Sequence, residues 1–503
     1  MMKILNSPGR QEGLIQSLEY RWETCPSSVL GETDNYDKGR KVMKMLFKIM
    51  KTSGFFAALV SAMVFLSSPG TVSARAWIDG ISGASFAFTA GAGEVSIPDG
   101  GSLHFWGYQA ASGPVSLPQY PGPTLILAED AEVTITLTSN LPFGQCTSIV
   151  FPGHSVTATG GRPGTLTRES CGTSPAETVT YTFTPTEPGT YTYYSGTQME
   201  LQVEMGLVGA IIVRPTIAPD QAYSNAATSF DHEYLFLLTS MDPAVHQLAN
   251  LGNFDQIDLT ERLAVYWFIN GRAAPDDLAP PYIGYLPHQP YNITPRMTPG
   301  QRLLVRIIGG DQDQHPLHLH GNHYYEIAHN GRVLTSAPTN SGLPDLQRGK
   351  FTTLSVPGQT VDAIFQWTGE QLGWDIYGTG GAYEHSCNGV PVTDTDPASA
   401  GFDATTNEYC PDHGKPLPVA LPQTQDLAFG GWWSGSPFMG DVAPLPPGEG
   451  GLNPYGGFFF MWHSHAEKEL TNFDIFPGGM LSMMVVEPPG TPIDSGVAFP
   501  VFP

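Results

Sequence analysis

From residue 124 onward the chain falls into short runs in which apolar and polar residues alternate, broken by glycine and proline. A period of two puts one face of each run in a core, which is the pattern of a half-buried β-strand. Runs at 124–127, 132–137, 178–183, 190–194 and 208–213 predict one group of strands. Runs at 234–238, 264–269, 302–308, 324–328, 351–356, 361–367, 458–462 and 480–486 predict a second. Pro121-Gly122-Pro123 and Pro188-Gly189 read as turns between them. The grouping gives an N-terminal β-domain at 77–215, a linker at 216–229, a second β-domain at 230–489 and a short tail at 490–503. Within the second domain, about 378–457 is rich in Gly, Pro, Asp and Ser and reads as a long loop insertion. Loops of that length are usually functional. No nucleotide-binding fingerprint, serine nucleophile elbow or coiled-coil repeat interrupts the pattern.

The first 76 residues do not follow it. Lys41, Lys44, Lys48 and Lys51 precede a 13-residue apolar run at 54–66, and Ala74-Arg75-Ala76 offers a small-residue cleavage site. A basic region, an apolar stretch too short to span a bilayer and an A-x-A site predict an export signal, with the mature chain beginning near Trp77. Met43, Met45 or Met50 would serve as an alternative start. The expected location is periplasmic or extracellular, with no membrane span.

Composition supports a turn-rich all-β protein: 57 Gly and 45 Pro stand beside only 14% charged residues. The net charge is −24, and the upstream segment is itself net basic, so the remainder is more acidic still. Such a surface repels nucleic acid and anionic membrane and attracts cations. Cys25 lies upstream, which leaves Cys146, Cys171, Cys387 and Cys410. An even number in an exported chain implies disulfides. Of the three connectivities, proximity in sequence favours Cys146–Cys171 and Cys387–Cys410, the latter pinning the long insertion.

The candidate chemistry lies in two histidine pairs: His315-Pro316-Leu317-His318-Leu319-His320-Gly321 and Trp462-His463-Ser464-His465. Alternation along a strand points His318 and His320 one way, and likewise His463 and His465. One such pair is as readily a polar strand face as a ligand set; two in one β-domain, with His315 nearby, point to metal. Imidazole suits copper, zinc, iron and nickel. Neutral imidazole is the binding form, so affinity is expected to fall as pH drops through ~6.5.

These residues resemble those of the multicopper oxidases, which are built from cupredoxin-like Greek-key β-sandwiches. Tyr120 to Thr124 with Asn140-Leu141-Pro142 looks like the opening of their first domain, and Gly189 to Tyr191 with Gly206 to Val213 like its end. His315 to Gly321 matches the motif His-Pro-x-His-x-His-Gly, and Phe460 to His465 with Gly479-Met480 resembles the last copper motif. The likeness covers most of residues 100–489 and implies two sandwiches, where laccase-like members have three. It implies copper as cofactor, held by His318, His320, His463 and His465, with His315 the survivor of a blue-copper set. It also exposes departures. The blue-copper Cys falls on Ser464 and a further copper His on Glu469. The first-domain pairs fall on Val150 and Pro152 and on Tyr194 and Gly196. Half a trinuclear cluster remains.

The resemblance implies an oxidoreductase acting on a small-molecule or metal-ion reductant, with dioxygen as acceptor, and leaves oligomerisation open. A copper-binding protein without turnover, and a structural cupredoxin module with relic histidines, are the alternatives. His154 reads as a loop histidine and His323 and His329 as surface groups, with His323, Glu326 and Glu467 as weaker candidates for orienting the imidazoles. Met480, Met483 and Met484 read as core.

Overall fold

The structure is a computed structural model that describes residues 76–172, 177–216, 218, 220–367, 458–487 and 491–493, together with two short paired strands, Phe402–Asp403 and Glu408–Tyr409. Expectations for the export signal, the Cys387–Cys410 bridge, most of the long insertion and the end of the tail lie outside these residues. The described residues all belong to one compact unit.

Two β-sandwiches account for most of the described residues. In the first, a four-stranded sheet runs in the order Ile81–Ser82, Leu125–Ala128, Val208–Arg214, Gly189–Tyr194. It faces a five-stranded sheet in the order Ser102–Ala110, Ser85–Ser96, Val133–Ser139, Thr178–Phe183, Thr157–Gly160. Alternation in Val133–Ser139 is strict: every other residue is buried. Those inward residues join Phe88, Trp106, Tyr108, Tyr181 and Tyr193 in one core.

In the second sandwich one sheet is built on Tyr266–Ile269, His232–Met241, Arg302–Gly309, Thr360–Gln366 and Tyr324–His329. The other runs Arg296–Met297, Leu481–Val486, Phe458–Ser464, His315–Leu319, Thr352–Ser355. Leu303, Val305, Leu317, Leu319, Phe365, Trp462, Met480 and Met484 fill the space between them. The α-helices among the described residues are Met199–Glu204 and Pro243–Asn250. The latter starts where Asp242 accepts a hydrogen bond from the Ala244 N–H and Pro243 takes the first turn. No helix among the described residues is long and apolar enough to cross a membrane.

Strands Ser85–Ser96 and Ser102–Ala110 escape the alternation reading because glycine interrupts them. The reason is close approach. A Cβ on Gly93 would lie 2.7 Å from both His288 and Phe105, and one on Gly107 would lie 2.4 Å from the Gln119 carbonyl oxygen. Cys146 and Cys171 are bonded across the paired strands that carry them.

The sandwiches meet through the sheet of the second that contains His232–Met241. Leu235, Leu237 and Ile308 pack on Ala210 of the first sandwich. Beside them Arg306, fully buried, lies 3.2 Å from Glu233 and 3.4 Å from Asp362, and donates to Thr190 Oγ1 at 2.9 Å. Arg214 pairs with Glu233 from the first sandwich, and Thr190 donates to Asp362. The sheet carrying both histidine motifs is therefore the outer layer of the second sandwich.

Candidate metal centre

The four paired histidines come from two adjacent antiparallel strands. Register places Leu317 opposite Ser464, His318 opposite His463 and Leu319 opposite Trp462. Leu317, Leu319 and Trp462 point into the core, so His318, His320 and His463 point the other way. Trp462 Nε1 donates to the His320 carbonyl at 3.0 Å, and the His465 N–H donates to the Pro316 carbonyl at 2.8 Å, so both motif ends are tied across the seam.

The rings converge. His318 lies 4.8 Å from His320, 5.5 Å from His463 and 4.8 Å from His465 between centroids. His320 Nε2 and His463 Nε2 are 3.2 Å apart, and ligand nitrogens of His318, His320 and His463 all lie within 4.8 Å of one another. His463 is buried, His318 and His320 are half-buried and His465 is exposed. Two far nitrogens are held. His318 Nδ1 meets Thr352 Oγ1 at 2.7 Å, and His463 Nδ1 donates to the Ser464 carbonyl at 2.6 Å. Each contact leaves Nε2 facing the cluster, where that of His463 lies against His320 Nε2. Burial, and then neighbouring imidazoles, push the pKa of His318 down and those of His320 and His463 down to about 4. Partly buried imidazoles that disfavour one another's protonation form a poor place for protons and a fitting one for a cation with imidazole preference.

His315 lies elsewhere. It is the inward residue at the start of the same strand, fully buried, and so faces away from the other four. Its Nε2 is 3.1 Å from Asp311 Oδ1 and its Nδ1 is 3.1 Å from Glu469 Oε2. Ser464 Oγ donates to that same Glu469 oxygen at 2.5 Å. Burial opposes charge on the imidazole, but the two carboxylates outweigh it and raise the pKa to about 10. His315, Ser464 and Glu469 thus converge, and what they form is an ion-paired cluster. Both ring nitrogens face carboxylates, and a hydroxyl cannot supply a copper–thiolate bond. These residues do not fit a blue copper.

The first-sandwich positions also meet, without imidazoles. Val150 and Tyr194 form an isolated antiparallel bridge, and a Cβ on Gly196 would lie 2.7 Å from Val150 Cγ1. His154 packs on Phe183 and Tyr191, with centroids 5.0 and 4.5 Å away. Glu326 bonds His329 and Thr353. His323 meets Phe351 edge-on, and Phe351 in turn borders His318. Met480 and Met484 are core residues, as expected.

Two contributors escaped the sequence reading. Asp311 is marked only by standing four residues before His315. Thr352 becomes visible once the 351–356 run is paired with the His315 strand, because Thr352 then falls opposite His318.

Fold and site together describe a two-sandwich β-protein with an all-imidazole cluster on one sheet of the second sandwich. Residues 109–217 match the family model for a multicopper oxidase domain. A laccase of Aspergillus fumigatus is 33% identical over 106 residues, which is 21% of this chain and 17% of the laccase. The L-ascorbate oxidase of Cucurbita pepo is 32% identical over 99 residues, 19% of this chain and 17% of that enzyme. Those matches span less than a fifth of either relative. Among solved structures, a multicopper oxidase called mgLAC aligns at 17% identity over 82% of this chain and 87% of its own, with a TM-score of 0.45. A blue copper oxidase from Nitrosomonas europaea aligns at 16% identity over 80% and 85%, with a TM-score of 0.44. The domain match and the two relatives make this chain similar, over about a fifth of its length, to the multicopper oxidases, a copper-dependent family.

Proposed function

We propose that this chain is an exported copper protein that oxidises a small reductant or metal ion at a site held by His318, His320, His463 and His465. One observation carries the reading: the imidazoles of two separate motifs meet on one sheet face, with ligand nitrogens of three of them within 4.8 Å. Thr352 and the Ser464 carbonyl fix two rings so that Nε2 is presented. Trp462 and the strand pairing hold the two motifs in register. Bound copper would supply one-electron redox chemistry with dioxygen as acceptor. His315, Ser464 and Glu469 do not fit a blue copper that would relay electrons, so on this reading the reductant reaches the imidazole site itself. The acidic surface favours cationic reductants by long-range attraction.

The test is copper stoichiometry with oxygen uptake on the exported protein. Wild type should bind copper without an intense band near ~600 nm, because a copper–thiolate bond is lacking. His318→Ala and His465→Ala should each lose at least one copper per chain while staying folded. Full occupancy in both would place the metal elsewhere. The Ser464–Glu469–His315 cluster favours a second reading, copper binding without turnover. Copper bound with no oxygen uptake across a panel of reductants would select it.

A further inference from the structure

The seam that carries the imidazole cluster is short. Strand pairing joins the two motifs at Leu317–Ser464, His318–His463 and Leu319–Trp462, and His320 and His465 lie beyond these pairs. A further tie lies on the opposite, inward face. Glu469 Oε2 accepts from Ser464 Oγ at 2.5 Å and lies 3.1 Å from His315 Nδ1. One carboxylate oxygen thereby joins a residue of the first motif to a residue of the second. His315 is held on its other nitrogen by Asp311 at 3.1 Å, and Ser464 Oγ also accepts from the Ala466 N–H at 3.1 Å. The carbonyl of Ser464 is in turn the acceptor for His463 Nδ1, at 2.6 Å.

The backbone of Glu469 is set in place without help from its side chain. Its N–H donates to the Ala466 carbonyl at 2.8 Å, and its carbonyl accepts from the Met480 N–H at 2.8 Å. The Met480 carbonyl accepts from the Ser464 N–H at 3.0 Å, which ties the turn back to the second motif. The carboxylate is therefore a tether between motifs and not the support of its own turn. What the tether sets is visible on the outward face. In the neutral ring His463 Nδ1 carries the proton that it donates, so His463 Nε2 has a lone pair. The 3.2 Å contact with His320 Nε2 is then a hydrogen bond in which His320 donates. The protein alone holds two ligand atoms against each other across the seam, and a site ordered in advance binds more tightly because less freedom is lost on binding.

We infer that Glu469 is a positioning residue for the imidazole site: by gripping His315 and Ser464 on the inward face, it clasps the two motifs and holds His320 against His463 on the outward one. The inference rests on the copper reading in the proposed function, but the contact it explains belongs to the metal-free protein, so the two can fail separately. The experiment compares wild type with Glu469→Ala, which removes the shared oxygen, and Glu469→Gln, which keeps an oxygen at the same reach. The metal-free proteins are read by the ¹⁵N shifts of the two Nε2 atoms, and copper affinity by competition with a chelator. In wild type His320 Nε2 should read as protonated and His463 Nε2 as bare. In Glu469→Ala the His320 signal should move to the average of the two tautomers, and copper binding should weaken roughly tenfold, the scale for groups that orient metal-bound histidine. Glu469→Gln should recover most of both. Arg306→Met, destabilised at the joint between sandwiches, should change neither, which separates clasping from a general loss of stability. Should Glu469→Ala not fold, Ser464→Ala removes one arm of the clasp and should show the same two losses. Shifts and affinity unchanged on removing the oxygen, losses that Glu469→Gln does not recover, or equal losses in Arg306→Met each overturn the inference. A His320 shift that moves in Glu469→Ala while copper binds elsewhere in every protein would end the proposed copper site and leave the clasp standing.

Discussion

At the scale of single residues, the arrangement is one of nitrogens and the groups that aim them. Thr352 is the side chain that holds His318 Nδ1, at 2.7 Å. When copper sits on Nε2, the Nδ1 proton must go to an acceptor, and Thr352 Oγ1 is in place. Thr352→Val should therefore weaken copper binding, roughly tenfold by analogy with other groups that orient metal-bound histidine, while Thr352→Ser restores it. Competition with a chelator measures the affinity, and ¹⁵N shifts of His318 in the metal-free protein report whether Nδ1 is still the protonated atom. A further expectation concerns pH. Burial and neighbouring imidazoles hold His320 and His463 near about 4, so copper should be retained well below ~6.5, the ordinary histidine value. Release as pH approaches the lower value, followed by EPR, is the expected course. Release centred on the ordinary value would show that the shifts do not survive in solution. His154→Ala should leave copper untouched but lower the melting temperature, because the ring packs between Phe183 and Tyr191.

At the scale of elements, the strand His315–Leu319 carries two chemistries on its two faces. Outward, His318 joins the imidazole cluster; inward, His315 sits between Asp311 and Glu469. The inward pair ties this strand to the turn Glu467–Leu470 that follows the second motif. Its pH dependence has a definite sign. His315 has its pKa raised to about 10 in the fold, against ~6.5 in an unfolded chain. Its contribution to stability is therefore fully present below the unfolded value and lost as pH rises through the folded one. Melting temperatures taken across that interval should fall for wild type more than for His315→Gln. Parallel curves would remove the imidazolium from the account. The Cys146–Cys171 bridge belongs to the same scale. It closes a sequence separation of 25 residues, and Cys171→Ser should cost ~3 kcal/mol by the chain-entropy argument, read by denaturant unfolding.

For the molecule as a whole, the decisive feature is where the cluster does not lie. One sheet of the second sandwich separates it from the first sandwich, and the first-sandwich counterparts are Val150, Pro152, Tyr194 and Gly196. The joint between sandwiches instead combines the packing of Leu235, Leu237 and Ile308 on Ala210 with a buried charge network on Arg306, Glu233, Asp362 and Arg214. Removing its centre leaves two buried carboxylates short of a partner. Arg306→Met should therefore destabilise by about 3–5 kcal/mol, while copper bound per folded chain stays unchanged. A loss of copper in step with stability would mean that the joint and the cluster are coupled.

Much of this was legible in the chain. Alternation located 178–183 to the residue and most other strands to within one or two, because one face of each is buried and the period is fixed by the pleat. Motif spacing located the four histidines, since same-face geometry follows from the strand alone. Glycine-broken strands were missed because glycine's role there is close approach, which depends on partners distant in sequence. Whether the two motifs meet is a matter of strand order, and only the fold pairs His318 with His463. The two faces of one strand likewise separate His315 from its neighbours: the motif lists them together, and the pleat, with Asp311 and Glu469 waiting on the inner side, divides them. The sequence determined which residues could bind a metal, because ligand chemistry resides in side-chain type. Tertiary structure decided which of them share a site, because that depends on burial and on neighbours brought from more than a hundred residues away.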